Sequence, residues 1–245
     1  MKEIIKDIIN KINNIRRHNT PEFFSVVEIE TTTYCNRKCT YCPNSISDRG
    51  DIKNIRLMEE SLFRKIIDEL AEIRFNGRLS PHFYGEPLTD KRLPILLSYA
   101  RNKLPEAKIV IYTNGDLLNE DTYNELKKAG VDLFHVSNPV GLNINKKDIK
   151  VYNLTKEELY NRGALLDIPK KKASCCLLPY NNLVINYRGD IVLCCNDFYS
   201  TKTFGNLKEE SLIDIWNKKE YKLIRNELKE GILILDICKG CINNK

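Results

Sequence analysis

Two rhythms of apolar and polar residues run along this chain, and the switches between them mark its elements. Isoleucines at positions 4, 5, 8, 9, 12 and 15 form one stripe at helical spacing. They predict an amphipathic helix over residues 1–21 that packs on the body of the protein. Acids as well as bases on its polar face argue against a membrane-surface role. "FFSVVEIETTT", Phe23 to Thr33, is β-branched and alternating, which predicts a strand. Helical spacing returns in "MEESLFRKIIDELAEIRF", "RLPILLSYARNKL" and "NEDTYNELKKAG", the last closed by a glycine. "LSPHFYGE", "AKIVIYTNG", "VDLFHVSN" and "DIKVYN" read as further strands.

Strand and helix alternate, which argues for parallel βα units wound right-handed. About 130 residues are too few for an eightfold barrel of roughly 250. The expected fold is therefore α/β, a partial TIM-like barrel of parallel strands, open on one side, over residues 22–153. Between residues 154 and 173 the periodicity fails, and "IPKKK" reads as a linker. Residues 174–245 follow another grammar. "NNLVINYRGDIVLCC" is a β-hairpin turning at Gly189, "ESLIDIWNKKEYKLIRNELKEG" reads as one long helix, and "CKGC" follows. This predicts a small α+β domain stapled by cysteines.

Composition sharpens the picture in three places. With 245 residues, 42% of them hydrophobic, the chain can bury one ordinary core and a smaller satellite. Its formal net charge of +6 is spread among acids, without a basic block carrying interleaved aromatics, so nucleic acid is not an expected partner. No apolar run approaches the roughly 18 residues of a membrane span, and the N-terminus has no signal-peptide h-region. A reducing cytoplasm is the expected compartment, where clustered cysteines are metal or redox sites rather than disulfides.

The densest cluster is "TTTYCNRKCTYCPN", with Cys35, Cys39 and Cys42. Thiolates so crowded repel one another unless a cation shares them. A structural zinc takes four protein ligands, and no histidine or fourth cysteine lies nearby. A 4Fe–4S cube has four irons, each wanting one outside ligand, so three cysteines leave one iron for something that is not protein.

Placed directly after the first strand of a βα array, this triplet resembles the radical S-adenosylmethionine (radical SAM) superfamily, where the cofactor's amino and carboxylate groups chelate the open iron. "FYGEPL" looks like that family's Gly-Glu motif. The resemblance implies that Gly85 lets the backbone approach the cofactor and that Glu86 takes its ammonium. It also implies ribose contacts from "YTNG", hence Thr113 and Asn114, and places Tyr41 along the adenine; Ser137 is a further candidate for the cofactor pocket.

"CLLP", Gly189 separated by four residues from Cys194, "GNLKEESLIDIW" and "CKGC" resemble the Twitch domain, a short relative of the SPASM domain. By that resemblance Cys176, Cys194, Cys238 and Cys241 hold a second, auxiliary 4Fe–4S cluster; a zinc ribbon is the alternative for these four. With no free site, such a cluster should move electrons.

Together the resemblances cover roughly residues 22–245. They imply reductive cleavage of S-adenosylmethionine, with electrons from a donor such as flavodoxin or ferredoxin, and hydrogen abstraction by a 5′-deoxyadenosyl radical. Size and a single auxiliary cluster are similar to the radical dehydrogenases of 2-deoxystreptamine biosynthesis. The expected substrate is thus a small sugar, cyclitol or sugar nucleotide, oxidised at a carbinol carbon. A radical epimerase, a peptide- or protein-modifying radical enzyme and a non-catalytic zinc protein are the alternatives.

Two residues are singled out for catalysis. Arg162 stands in the linker as the only arginine between Arg101 and Arg188, where it would orient or deprotonate a substrate hydroxyl; His82 and His135 are alternatives on strands. Cys175 and Cys195 are left over from the two ligand sets. Cys175 is expected to be a small buried neighbour. Cys195 would donate hydrogen in an epimerase if it faced the substrate; the reading favours a Cys195 turned into the hairpin core, and oxidation.

Overall fold

A computed structural model describes residues 23–155 and 158–243, so the helix expected over residues 1–21 lies outside the described residues. Five parallel strands follow one another: β1 (Val26–Ile29), β2 (Arg78–Ser80), β3 (Lys108–Thr113), β4 (Leu133–Ser137) and β5 (Ile149–Tyr152). The helices α1 (Glu60–Glu72), α2 (Leu93–Lys103) and α3 (Glu120–Lys128) connect them. The expected α/β open barrel is thus present.

Alternation along the strands separates two faces. Val27, Ile29, Leu79, Ile109, Ile111, Phe134 and Val136 join the main core with Phe63, Ile66, Ile67 and Leu70 of α1 and Leu96 and Leu97 of α2. Each such side chain, fully buried, stabilises the fold by about 1.5–3 kcal/mol before entropy is counted. The opposite face carries Glu28, Arg78, Ser80, Tyr112 and His135, far too polar for a core.

Three features differ from the pattern-based expectation. The 11-residue strand from Phe23 shortens to four residues, because beyond Ile29 the extended chain pairs with a loop: Thr32 bridges Leu57, and the Thr33 amide donates to the Arg56 carbonyl at 3.0 Å. The long C-terminal helix is two helices, α5 (Leu212–Asn217) and α6 (Lys219–Lys229). Lys218 breaks it with extended backbone while its ammonium donates to the Phe204 carbonyl at 2.9 Å and to Glu210 at 2.6 Å. Periodicity survives the break because Trp216 and Tyr221 bury against each other across it.

The third concerns the C-terminal hairpin, which joins the barrel's own sheet. β7 (Asn182–Ile185) runs parallel to β1, with Glu28 opposite Val184, and β8 (Asp190–Val192) and β9 (Thr203–Asn206) continue antiparallel. The result is one eight-stranded sheet in the order β5-β4-β3-β2-β1-β7-β8-β9. The remaining short elements are β6 (Lys171–Lys172) paired with β10 (Ile242–Asn243), α4 (Leu178–Asn181) and α7 (Asp236–Cys241). Among the described residues no helix is long and apolar enough to cross a membrane.

Candidate active site

Cys35, Cys39 and Cys42 lie on one loop after β1, closed by hydrogen bonds from the Cys42 amide to the Cys39 carbonyl at 2.9 Å and from the Cys35 amide to Gly50 at 3.1 Å. The residues between the cysteines latch this loop to the ends of β3 and β4. Asn36 donates to Asp116 at 2.9 Å and accepts from Asn114 at 2.8 Å. Arg37 pairs with Asp116 and reaches the Asn138 carbonyl at 2.9 Å, and Asn138 donates to the Tyr41 hydroxyl at 2.8 Å. Burial pushes the Cys35 thiol up to about 11, with Glu86, Cys42 and Cys39 adding to the rise against the opposing Arg37 amide. Three such neighbours become thiolates together only where a cation shares them, which is the chemistry of a cluster-binding set.

Gly85 and Glu86 knit the same region. A Cβ on Gly85 would sit 2.0 Å from the Thr32 carbonyl oxygen, so the approach this glycine permits is that of the chain leaving β1. The buried Glu86 carboxylate accepts from the Thr113 hydroxyl at 2.6 Å, the Asn114 amide at 2.8 Å and the Leu88 amide at 3.2 Å. A carboxylate has about four acceptor positions, so one remains for a further donor such as a ligand ammonium. The Gly-Glu and Tyr-Thr-Asn-Gly stretches, 26 residues apart in sequence, are thus one hydrogen-bonded unit.

Tyr41 and Ser137 line the same cavity of about 460 Å³ as Arg162 and Cys195. Tyr112, His135 and Tyr152 form another part of its wall. With His82 they stack in a row, at centroid separations of 4.7, 4.7 and 5.0 Å. Burial holds His82 down at about 3, so it is neutral and a poor base. Arg162 has φ of 53° and is followed by Gly163 and Ala164, both at 70°. Left-handed backbone costs of order 1–3 kcal/mol at each non-glycine residue. Here it presents the guanidinium to the cavity, 5.5 Å from the Tyr84 ring centroid and bonded to Asn196 Oδ1 at 3.0 Å. Cys195 packs against the small apolar cluster that includes Val184 and Val192 of the hairpin, yet it also lines the cavity, which corrects the expectation that it turns wholly into the hairpin core.

Sequence reasoning missed Glu28. It is 5% exposed on β1, one carboxylate oxygen finds no partner, and the other has only Arg78 at 3.4 Å. Burial raises its pKa to about 7, against the pull of Arg78 and Arg162. Ser80 Oγ, His82 Nδ1, Arg78 Nε and Arg162 Nε are likewise buried without partners among the described residues. Of these, Arg162 lines the cavity, and buried polar groups left without protein partners are of the kind that a ligand or water satisfies. The available signal was an acid within the otherwise apolar "VVEI".

A second recess is lined by Cys176, Cys194, Cys238 and Cys241; Cys175 does not line it. Among the described residues no three His, Cys, Asp or Glu side chains gather as a set for a single metal ion. Asn196 touches the four cysteines twice, its amide N–H donating to Cys194 Sγ at 3.4 Å and its side-chain NH₂ to Cys241 Sγ at 3.6 Å.

Comparison with known proteins returns the same two halves. A family model described as the radical SAM superfamily matches residues 29–160, and one described as an iron-sulfur cluster-binding domain (SPASM) matches residues 175–242. The chain is 35% identical over 238 residues to the S-adenosyl-L-methionine-dependent 2-deoxy-scyllo-inosamine dehydrogenase of Niallia circulans, covering 91% of this chain and 94% of that relative. The crystal structure of BtrN in complex with AdoMet and 2-DOIA superposes with a TM-score of 0.83 at 33% identity, over 91% of this chain and 94% of that one. Native anSMEcpe with bound AdoMet gives a TM-score of 0.57 at 16% identity, over 88% and 86% of the two chains, a likeness of fold alone.

Proposed function

The chain belongs to the radical SAM superfamily, and from that premise we propose that it oxidises a carbinol carbon of a cyclitol bearing an amine. It is an oxidoreductase whose cofactors are S-adenosylmethionine and 4Fe–4S clusters. In this reading residues 22–153 form the catalytic core, 154–173 the linker and 174–245 the auxiliary-cluster domain. The donor is a small cytoplasmic carrier such as flavodoxin or ferredoxin.

Cys35, Cys39 and Cys42 would hold the cluster that, with the cofactor, would supply a 5′-deoxyadenosyl radical, and Cys176, Cys194, Cys238 and Cys241 would hold an auxiliary one-electron acceptor. Everything else falls to side chains. Glu86, Thr113 and Asn114 seat the cofactor, with Tyr41 and Ser137 beside it. Arg162 binds the substrate hydroxyl. Its own pKa is raised, with burial opposing the rise and the Tyr84 and cysteine side chains favouring it. It is therefore a very weak base: it orients the hydroxyl and stabilises the negative charge that develops once loss of hydrogen from the carbon has acidified that proton. Carbinol to ketone removes one hydrogen atom, one electron and one proton: the radical would take the first, the auxiliary acceptor the second, and solvent at the open cavity the third. The observation that carries this reading is the sharing of one cavity by Tyr41 and Ser137 with Arg162 and Cys195.

The test is turnover of 2-deoxy-scyllo-inosamine by the reconstituted enzyme in deuterium oxide. A ketone product with no deuterium returned to carbon is expected, unchanged in Cys195→Ala. Deuterium at the reacting carbon, lost in Cys195→Ala, would instead establish epimerisation, a reading the cavity position of Cys195 favours.

Glu28 supplies a second prediction. As a carboxylate it would accept from a protonated amine, so Glu28→Gln should raise KM by roughly 10–100-fold, the 1.5–3 kcal/mol of a charge-assisted hydrogen bond. Glu28 is half ionised near pH 7. Wild-type KM should therefore fall between pH 6 and pH 8, and the Gln variant should lose that dependence. A pH-dependent KM of wild-type size in the variant would remove Glu28 from recognition.

A further inference from the structure

Asn196 is 2% exposed and is the polar residue that lines both the substrate cavity and the four-cysteine recess. Every polar group of its amide side chain is engaged across that boundary. Oδ1 accepts from Arg162 at 3.0 Å, and Nδ2 donates to Cys241 Sγ at 3.6 Å, while the backbone N–H donates to Cys194 Sγ at 3.4 Å. The orientation is fixed by chemistry: a guanidinium has donors only, so it holds the amide oxygen toward itself and the NH₂ toward sulfur. Hydrogen bonds to cluster sulfurs are among the levers that set an iron–sulfur potential. Donors aimed at thiolates favour the reduced state, which carries one more negative charge. A buried cation on the far side of the amide polarises it and strengthens those donors.

We propose that Asn196 is a positioning residue that couples the two sites, so that the charge on Arg162 in the substrate cavity raises the reduction potential of the cluster held by Cys176, Cys194, Cys238 and Cys241. This rests on the ligand assignment made under the proposed function. The residue that binds the substrate hydroxyl thereby also tunes the group that receives the substrate's electron.

The experiment uses the full chain carrying Cys35→Ala, Cys39→Ala and Cys42→Ala, so that the auxiliary cluster alone reports, in a redox titration followed by electron paramagnetic resonance. Iron analysis comes first. About four irons per chain, by the four-thiolate stoichiometry of one cube, confirm the assignment; none would overturn it, and the coupling with it. Asn196→Ala should then lower the reduced-to-oxidised ratio at fixed poise about tenfold, which is about 59 mV for one electron. Arg162→Gln leaves every residue of the recess in place and should shift the potential in the same direction by less. Combined with Asn196→Ala it should add nothing, because the amide is the shared element. A potential unmoved by Arg162→Gln, or additive shifts in the double variant, would overturn the coupling while leaving the cluster assignment standing. If Asn196→Ala does not retain iron, Arg162→Gln decides the question alone.

Discussion

Any one of Cys35→Ala, Cys39→Ala and Cys42→Ala should reduce 5′-deoxyadenosine formation under dithionite to the level of the cofactor alone. Each cysteine supplies one of three protein ligands, so its loss exposes a second iron and lets the cube decay. The effect should exceed the roughly 10–100-fold that loss of an outer-shell partner costs a metal site. The fold should survive, because the loop is held by Asn36, Arg37 and Tyr41 rather than by the thiols. An unchanged melting temperature in the metal-free chain would verify that. Cleavage at near wild-type rate in any one variant would sink the assignment of this loop.

Arg162→Ala should lose turnover by about 10²–10⁴-fold, the range over which positioned acid–base groups act. Formation of 5′-deoxyadenosine should persist and become uncoupled from product, because Arg162 belongs to the substrate half of the cavity rather than to the cysteine loop. Arg162→Lys keeps the charge but not the planar fork, and should recover little. The measurement is the ratio of ketone to 5′-deoxyadenosine over single turnovers. A ratio of wild-type size in Arg162→Ala would dismiss the residue from the chemistry.

What could be read from the sequence followed from how local each signal is. The cysteine loop, the Gly-Glu stretch and the strand–helix alternation are set by spacing within a few residues, and all appear where expected. The relation of Glu86 to Thr113 and Asn114 spans strands, so the sequence offered two motifs where the structure has one bonded unit. Glu28 escaped for a similar reason: an acid in a β-branched run looks like the solvent side of an alternating strand, and only strands on both sides of β1 make it buried. Asn196 follows two adjacent cysteines that drew attention away from it, and its partners Arg162 and Cys241 lie 34 and 45 positions away. The division into barrel and cysteine-stapled domain was visible as a change of grammar, but the strand pairing that joins them is non-local and left no trace in either rhythm.

That pairing has a consequence for how the molecule is made. β1 emerges early from the ribosome, yet the strand that covers its second edge, β7, begins only at Asn182. Throughout the synthesis of the intervening residues, Val26 to Ile29 would present an unpaired, apolar edge of the kind that recruits strands from other chains. Closing so long a loop for a parallel pair is also intrinsically slow. Heterologous production should therefore be limited by aggregation of truncated or nascent chains ending before Asn182, and a fragment comprising the barrel alone should be far less tractable than its tidy strand–helix pattern suggests.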